Sequence, residues 1–365
     1  MWNDIIMAVL ALVLSLVLVP FVAKLAIKIG AVDKPNARKV HTKLMPRMGG
    51  LAIYLSFFAV LFLSHNVTQE HIGLFAGGTV LIIVGIIDDM KDMPAKVKLV
   101  GQIIAACIVV ASGVRVEFMT NFILGGILPL YFFSAPFTVI WIVAIVNAVN
   151  LIDGLDGLAA GTSIIAATTI AISGYVTGQI EMASMALILI GATLGFLKYN
   201  FHPAKIFMGD TGSMFLGYNL AVLAVMGFTK SFTLLSLVTP ILVLAIPILD
   251  TLFAIVRRKM NNKPIFKPDK NHLHHCLLHY GFSHRNTVLI IYAVSAVLAL
   301  CGLTMTYLNP TQGIGLLVII SVVIIYGAIK LGVLGSKTLA QEPHTLEEQE
   351  LYAKQGTDNN GGTYE

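Results

Sequence analysis

Amide and carboxylate side chains recur at every third position in a short stretch near the middle of the chain. They are Asn147, Asn150, Asp153 and Asp156. On a continuous helix this spacing places neighbouring groups on one face, and polar groups at the end of a membrane helix are usually kept for a binding or catalytic site. Gly154 and Gly157 allow the helix to break where it leaves the membrane. The alternative is a capped helix end with solvated carboxylates.

A second acidic group, Asp88-Asp89, ends another apolar segment. Carboxylates are unfavourable at the C-terminus of a helix, so their presence there indicates a purpose beyond contact with water. Adjacent side chains point in different directions on a helix, so these two need not share one ligand. Lys96 and Lys98 follow at the start of the next apolar segment, where lysines beside a helix N-terminus form a natural phosphate site.

Asp210 lies between Gly209 and Gly212, just before another apolar segment. Alone, such a carboxylate is explained as an N-cap. Together with the other acidic groups it predicts a cation site, because oxygen ligands select a hard cation and Mg²⁺ keeps few protein ligands beside phosphate oxygens. We therefore predict Mg²⁺, with Mn²⁺ as a substitute.

Histidines cluster in a basic loop after the ninth predicted membrane segment, as His272-Leu-His274-His275. Basic groups and histidines beside carboxylates suit an anionic, multiply charged substrate held with a divalent metal. The alternatives are a zinc site, although no cysteine or regular ligand spacing accompanies the cluster, and an ordinary positively charged cytoplasmic loop. Asp250, inside the preceding segment, is expected to form a structural ion pair in preference to a catalytic role.

The first predicted cytoplasmic loop is basic as well and contains Arg38 and Lys39. It lies at the surface where anionic lipid head groups sit, so lipid binding and substrate binding are equally good explanations of its charge. At the end of this loop, Gly49-Gly50 would allow the backbone to approach a ligand closely.

Long apolar segments must position all of these groups. Of the 365 residues, 57% are hydrophobic and only 12% are charged, which indicates an integral membrane protein. Each segment has close to the ~20 residues that a helix needs to cross the hydrocarbon, so we predict an all-α polytopic membrane protein with about eleven transmembrane helices. The predicted spans are 4–27, 49–65, 71–88, 98–115, 134–152, 158–178, 182–200, 213–229, 233–256, 286–307 and 313–334.

The positive charges predict the orientation of these spans. With the N-terminus outside, all of the 24 Lys and Arg residues except Arg115 and Lys230 fall in cytoplasmic loops, at cytoplasmic span ends or in the C-terminal tail. The C-terminus is then cytoplasmic, and the acidic motifs share the cytoplasmic side.

The remaining segments complete the predicted organisation. Residues 115–133 contain two short apolar runs around Gly125-Gly126, which predicts a short external β-hairpin. Residues 1–335 are predicted to form a single transmembrane catalytic domain, and residues 336–365 a polar, disordered cytoplasmic tail.

Four motifs follow one another along the chain: Asp88-Asp89, Asn147-Ala-Val-Asn150-Leu-Ile-Asp153-Gly-Leu-Asp156-Gly-Leu, Phe207-Met-Gly-Asp210-Thr-Gly-Ser and His272-Leu-His274-His275. In this order they resemble the motifs of the polyprenyl-phosphate N-acetylhexosamine-1-phosphate transferases of the glycosyltransferase 4 family. The basic loops are similar to the bacterial branch that uses UDP-GlcNAc, and less similar to the branch that uses UDP-MurNAc-pentapeptide. The segment beginning at Pro46-Arg-Met is similar to the enzyme that starts the wall teichoic acid linkage unit.

The resemblance implies a reaction and a metal. GlcNAc-1-phosphate would pass from UDP-GlcNAc to undecaprenyl phosphate with Mg²⁺, giving undecaprenyl-diphospho-GlcNAc and UMP. By the same resemblance Asp210 binds the metal, and Asn150 shares the environment of the metal and the pyrophosphate. Phe207 and Asp156 match positions that hold the uracil.

Other site residues are implied in the same way. Lys98 matches a lysine near the lipid phosphate, and Asp88 and Asp89 match an essential carboxylate pair. The His272-Leu-His274-His275 loop matches one that contacts the phosphates of the sugar nucleotide. Asp153 is predicted to be a site carboxylate without an assigned role. Arg38 and Lys39 are predicted to bind substrate.

The setting and the mechanism follow as expectations. The resemblance implies a multi-pass protein of the bacterial plasma membrane bilayer, with its site facing the cytoplasm, a homodimeric state and no nucleic-acid partner. The second pKa of a phosphate monoester is near 6, so the lipid phosphate is mostly a dianion at neutral pH and needs little help from a general base. We therefore favour direct attack by the lipid phosphate over a covalent phospho-Asp intermediate.

A transporter is the competing class of function. It would place ionisable groups near the middle of the bilayer, on broken helices. Here the carboxylates lie at the ends of the predicted spans, and the middle portions are apolar, which favours an enzyme.

Overall fold

The computed structural model describes residues 2–33, 44–64, 66–120, 127–228, 238–260, 272–305 and 307–333. The α-helices of this part of the chain are α1 (Trp2–Ile29), α2 (Gly49–Ser64), α3 (Gln69–Lys91), α4 (Ala95–Ala111), α5 (Ser134–Ile152), α6 (Leu158–Val176), α7 (Ile180–Asn200), α8 (Gly209–Phe228), α9 (Val238–Val243), α10 (Ala245–Met260), α11 (Leu273–His279), α12 (His284–Met305) and α13 (Pro310–Lys330). A 3₁₀ helix, Tyr131–Phe133, precedes α5.

Seven helical segments in the described residues are long and apolar enough to cross a membrane. They correspond to α1, α3, α5, α6, α7, α12 and α13. The chain is therefore an all-α polytopic membrane protein, as its composition predicts. The count of eleven spans and their orientation stay predictions. The predicted tail, 336–365, and the basic pair Arg38 and Lys39 lie outside the described residues.

In the residues that the structure describes, two small antiparallel strand pairs accompany the helices. The strands β1 (Val32–Asp33) and β2 (Met45–Pro46) flank the first loop. The strands β3 (Phe118–Thr120) and β4 (Ile127–Pro129) pair antiparallel inside the segment predicted as a hairpin. Their position on the outer surface stays a prediction.

Helix α8 lies at the centre of the bundle and packs against α2, α3, α5 and α6. Its large side chains Phe215 and Tyr218 are fully buried, and so are most of its other residues. A helix that is apolar all round is stable only when other helices cover it, so α8 is the natural core element. Its first turn carries Asp210, which places the predicted metal ligand at one end of the core helix.

Glycines allow the helices around the start of α8 to approach its backbone. A Cβ added to Gly50 of α2 would lie 2.0 Å from the Cα of Gly212, and one added to Gly85 of α3 would lie 2.4 Å from the Cα of Thr211. Small residues at such crossings are typical of membrane helices that pack backbone to backbone. The close approach expected of Gly49-Gly50 is thus made to the protein's own chain, where the Gly50 N–H donates to the carbonyl of Met208.

We expect Gly50→Ala to lower the free energy of unfolding by about 1–3 kcal/mol, because the backbone of α8 cannot yield to the added methyl group. Gly315→Ala is the matched control, since a Cβ at Gly315 would meet nothing within 4 Å. That control should be neutral or slightly stabilising, because Ala favours a helix over Gly. Thermal unfolding of the two variants in detergent measures the difference. Equal midpoints would contradict the proposed backbone contact.

The ninth predicted span, 233–256, is not one helix. In its described part, α9 ends at Val243 and α10 begins at Ala245. Pro247 explains the break, because proline has no N–H to donate and its ring collides with the carbonyl of the residue four positions earlier, Val243. The predicted span therefore contains a helix break in its described part, and its crossing of the membrane stays a prediction.

Candidate active site

The polar stretch that follows α5 is divided between a helix and a loop. Helix α5 ends at Ile152, so Asp153 and Asp156 lie in the loop 153–157 that leads to α6. Gly157 has a φ of 78°, a left-handed conformation that favours glycine. The expected single helical face carrying four polar groups is therefore wrong beyond Ile152, although a break at these glycines was foreseen.

The two amides of α5 have separate partners. Asn147 and Gln102 of α4 form a reciprocal pair, in which Asn147 Nδ2 donates to Gln102 Oε1 at 2.6 Å and Gln102 Nε2 donates to Asn147 Oδ1 at 3.3 Å. This pair ties α5 to α4 and uses both amides. Asn150 Nδ2 donates to Ser213 Oγ of α8 at 2.8 Å, which leaves Asn150 Oδ1 as an acceptor for a cation or ligand.

Lys98 joins the first acidic motif to the core helix. Its Nζ lies 2.8 Å from Asp88 Oδ2 and 2.7 Å from Asp210 Oδ2. The ammonium group therefore stands between two carboxylates that come from different helices. Charge-assisted contacts of this length are strong, and they hold α3, α4 and α8 together at one end of the bundle.

Asp89 makes different contacts from those of its neighbour Asp88. Its Oδ1 accepts from the Asp210 N–H at 3.0 Å, and its Oδ2 accepts from the N–H and the hydroxyl of Thr211 at 3.2 and 2.6 Å. Its side chain is completely buried. These contacts satisfy the free N–H groups at the start of α8 and fix Asp210. These contacts indicate that Asp89 positions Asp210, and its membership of the catalytic carboxylate pair stays a prediction.

The acidic groups at this end could hold a divalent cation. Asp88, Asp89 and Asp210 each offer a carboxylate oxygen within 4.8 Å of the others. Because Asp89 already accepts three hydrogen bonds, Asp88 and Asp210 are the better ligands, with Asn150 Oδ1 as a neighbouring acceptor. An all-oxygen donor set fits Mg²⁺ or Mn²⁺ and does not fit a softer metal.

Asp153 lies among these charges in the loop 153–157. Burial raises the pKa of its carboxyl group to about 8; the negative charges of Asp210 and Asp89 add to the rise, and Arg47 opposes it. The group is therefore mostly protonated at neutral pH. In that form it can donate a hydrogen bond to an anion.

We expect Asp153→Asn to become progressively more stable than the wild type as the pH rises. An Asp in the unfolded chain has a pKa of about 3.9, so between that value and the raised folded value only the folded chain keeps the proton, and stability falls with rising pH. Asparagine does not titrate and escapes this loss. Melting temperatures from pH 5 to about 8, the folded-state pKa, measure the effect, with Asp92→Asn as an exposed control. A constant difference would contradict the raised pKa.

A second polar cluster surrounds Asp156. His202 Nδ1 donates to Asp156 Oδ2 at 2.9 Å, the Ala204 N–H donates to the same oxygen at 3.1 Å, and the Asp156 N–H donates to His284 Nε2 at 3.0 Å. The two imidazole rings stack with centroids 4.3 Å apart. Sequence reasoning did not select either histidine. His202, within the Asn200-Phe-His-Pro segment beside the third motif, carried the available signal.

This cluster has three potential metal ligands within 4.8 Å of one another, Asp156, His202 and His284. The hydrogen bonds above already use Asp156 Oδ2 and His284 Nε2, so a metal would have to displace them. A hydrogen-bonded platform that fixes the loop 153–157 accounts better for the contacts. Both donors to the Asp156 carboxylate use Oδ2, which leaves Oδ1 to accept from a ligand.

The histidine motif reaches the same loop from α11. His274 is buried, and a Cβ added to Gly154 would lie 2.4 Å from His274 Nε2. Burial lowers the pKa of His274 to about 3, so the ring is neutral and brings no positive charge to the loop. The predicted contact of His274 with the phosphates of the sugar nucleotide stays a prediction. His272 is buried as well, whereas His275 is exposed.

Phe207 and Arg47 complete the surroundings of the acidic group. The Phe207 N–H donates to the carbonyl of Pro46, and the Phe207 carbonyl accepts from the Gly49 N–H. These two bonds fix the backbone that carries the half-buried ring of Phe207. Arg47 Nε lies 4.0 Å from Asp89 Oδ1. Arg47 was not selected from the sequence, although it belongs to the Pro46-Arg-Met segment.

The structure thus brings the described candidate residues together at one end of the bundle. Lys98 joins the carboxylates of α3 and α8, and the loop 153–157 contacts His274 of α11 and His284 of α12. Asn150, near the end of α5, bonds to Ser213 of α8, which brings the start of this loop close to the acidic group. Carboxylates, the ammonium group of Lys98 and several imidazoles converge at a membrane helix boundary. This set can bind a polyanion with a divalent cation.

Comparison with known proteins finds a match to the model of glycosyl transferase family 4 over residues 71–228. A Bacillus subtilis protein, a probable undecaprenyl-phosphate N-acetylglucosaminyl 1-phosphate transferase, is 47% identical over 298 residues, or 81% of this chain and 83% of that protein. A Mycobacterium tuberculosis decaprenyl-phosphate N-acetylglucosaminephosphotransferase is 38% identical over 79% of each chain. The Escherichia coli undecaprenyl-phosphate alpha-N-acetylglucosaminyl 1-phosphate transferase is 30% identical over 79% of this chain and 80% of its own.

Proposed function

The chain belongs to glycosyl transferase family 4, with these phosphotransferases as its relatives, and from this membership we propose that it transfers GlcNAc-1-phosphate from UDP-GlcNAc to undecaprenyl phosphate. The products are undecaprenyl-diphospho-GlcNAc and UMP. The site faces the cytoplasm of a bacterial plasma membrane, where the sugar nucleotide is available. The product starts a cell-envelope glycopolymer, for which we propose the wall teichoic acid linkage unit.

The observation that carries this proposal is the position of Lys98 between Asp88 and Asp210 at the end of the core helix. A lipid phosphate and a sugar nucleotide are both anionic, so their meeting point must contain cations. An ammonium group held at the end of a membrane helix can attract the phosphate of the lipid while the polyprenyl chain of that lipid stays in the bilayer.

The reaction is a direct phosphoryl transfer. An oxygen of the lipid phosphate attacks the phosphorus that bears GlcNAc, a new P–O bond forms, and the bond to UMP breaks as UMP leaves with the electron pair. Because the lipid phosphate is mostly a dianion near neutral pH, Asp88 acts mainly by positioning Lys98 and the nucleophile. Lys98 offsets the repulsion between the two anions.

Other residues hold the sugar nucleotide. Asp156 Oδ1 can accept from the uracil, and the half-buried ring of Phe207 is proposed to pack against it. Asp153 in its protonated form donates to a phosphate oxygen without repelling it. Asp210 and Asn150 would hold Mg²⁺, or Mn²⁺ in its place, with Asp88 as a further carboxylate beside them, and the metal would neutralise charge on the pyrophosphate.

The test is transfer by the purified protein in detergent. Labelled UDP-GlcNAc, undecaprenyl phosphate and Mg²⁺ should give lipid-linked label and UMP, and EDTA should stop both. Parallel reactions with UDP-GalNAc and UDP-MurNAc-pentapeptide identify the donor. Absence of lipid-linked label with UDP-GlcNAc would refute the proposal. A GlcNAc-phosphoryl group trapped on Asp88 in a single turnover would replace direct attack by a covalent mechanism.

A further inference from the structure

Asp250 of α10 makes two contacts with the histidine motif. Its Oδ2 accepts from His272 Nδ1 at 3.0 Å, and its Oδ1 accepts from the Leu273 N–H at 2.8 Å. Its side chain and that of His272 are both buried, with 5% and 7% of their surfaces exposed. Each carboxylate oxygen of Asp250 therefore has a separate donor. Together the two hydrogen bonds fix the backbone at the start of α11 and the orientation of the His272 ring that precedes it.

The position of Asp250 follows from the break after α9. Pro247 lies in the first turn of α10, and α10 then packs against α5 and α12. Helix α5 ends at the loop 153–157, and α12 begins with His284, which accepts from the Asp156 N–H. Asp250 thus lies on a helix that is packed against both elements bordering the loop.

The two contacts determine where His274 lies. The rings of His272 and His274 are parallel, with an angle of 3° between their planes and centroids 6.0 Å apart. His274 Nε2 faces Gly154 so closely that any side chain there would collide with it. His274 Nδ1 is buried and has no hydrogen-bond partner among the described residues, so the ring is held by packing and by the chain that precedes it.

We infer that Asp250 is a positioning residue, which clamps the start of α11 so that His274 supports the loop 153–157 in its nucleotide-binding conformation. This inference rests on the proposed function, because the loop is taken to bind the sugar nucleotide. It goes beyond the structural ion pair expected from the sequence, because the pair is coupled to the site through His274 and Gly154.

Kinetic constants and direct binding test the clamp. We expect Asp250→Ala to raise the KM for UDP-GlcNAc roughly 10–100-fold, because loss of an orienting contact misplaces a binding group. The KM for undecaprenyl phosphate should change little. Asp250→Asn should fall between Asp250→Ala and the wild type, since its amide oxygen still accepts from the Leu273 N–H. Calorimetric binding of UDP-GlcNAc without acceptor should weaken in the same order.

Two further variants separate positioning from general stability. Gly154→Ala should also raise the KM for UDP-GlcNAc, because the added methyl group pushes His274 away from the loop. The double variant of Asp250→Ala and His272→Ala should raise this KM no further than the more severe of the two single variants, because both changes break the same contact. Thr251→Ala is the matched control, because the Thr251 hydroxyl, within the described part of the chain, donates to the carbonyl of Pro247 in its own helix. A fall in kcat with unchanged KM and unchanged calorimetric affinity would overturn the clamp. Inactive wild-type protein would instead count against the proposed function.

Discussion

Replacing Asp210 by Asn is expected to lower transfer at a fixed millimolar Mg²⁺ concentration by about 10³-fold, the scale seen when one electrostatic contact to a transition state is removed. The substitution preserves volume and removes the charge that faces Lys98 Nζ. It leaves the Asp210 N–H to donate to Asp89, so the start of α8 stays capped. The loss should therefore appear in activity and leave membrane insertion and folding unchanged.

The measurement compares initial rates of purified variants with equal melting temperatures. Asp92→Asn is the matched control, because the side chain of Asp92 is 96% exposed and lies three residues beyond Asp89, directly after the end of α3. It should keep wild-type turnover. If Asp210→Asn retained turnover within a few-fold of the wild type at that Mg²⁺ concentration, Asp210 could not be the ligand of the metal.

Replacing Lys98 by Met is the second large effect. We expect turnover to fall by about 10²–10³-fold, because the ammonium group no longer offsets the charges of the reacting phosphates. The same variant should bind Mg²⁺ more tightly in the absence of substrate. Asp88 and Asp210 would then face each other without the cation between them, so a divalent ion would relieve their repulsion.

Two readouts therefore move in opposite directions for Lys98→Met. Activity falls, whereas the rise in melting temperature on adding Mg²⁺ becomes larger, because a ligand stabilises the folded protein according to its affinity. Lys96→Met is the matched control, since Lys96 is exposed in the same helical turn and should change neither. A smaller Mg²⁺-induced shift in Lys98→Met than in the wild type would show that the ammonium group does not compete for the cation position.

Several features of the fold could be predicted from the sequence. The apolar segments predicted helices because a chain in lipid must satisfy its own backbone hydrogen bonds, and length with composition is sufficient to recognise that. The break at Pro247 was missed, although proline is a strong local signal, because the flanking residues are continuously apolar. The two directions taken by Asp88 and Asp89 follow from helical geometry and agree with their separate contacts.

The motifs indicate which residues lie near one another more directly than they indicate what each side chain contacts. Asp88 and Asp210 both contact Lys98, and Asn150 bonds to α8, whereas the predicted roles of these residues stay predictions. Asn147, by contrast, belongs to a structural pair with Gln102, and His202 was passed over. The reason is that residue type and spacing specify which chemistry a side chain offers, and its surroundings decide whether that chemistry is already used by the protein.

The sequence by itself determined a polytopic helical membrane protein with acidic, amide and histidine motifs at helix ends, because hydrophobicity and residue spacing act locally along the chain. Only the tertiary structure decided that Lys98 bridges to Asp210, 112 positions away, and that Asp89 caps the helix that begins near Thr211, 122 positions away. Those pairings depend on the backbone contact between Gly85 and α8. This contact sets the phase of each helix, that is, its rotation about its own axis and so the side chains that it turns toward its neighbour. No local pattern encodes that phase, since it results from packing between distant segments.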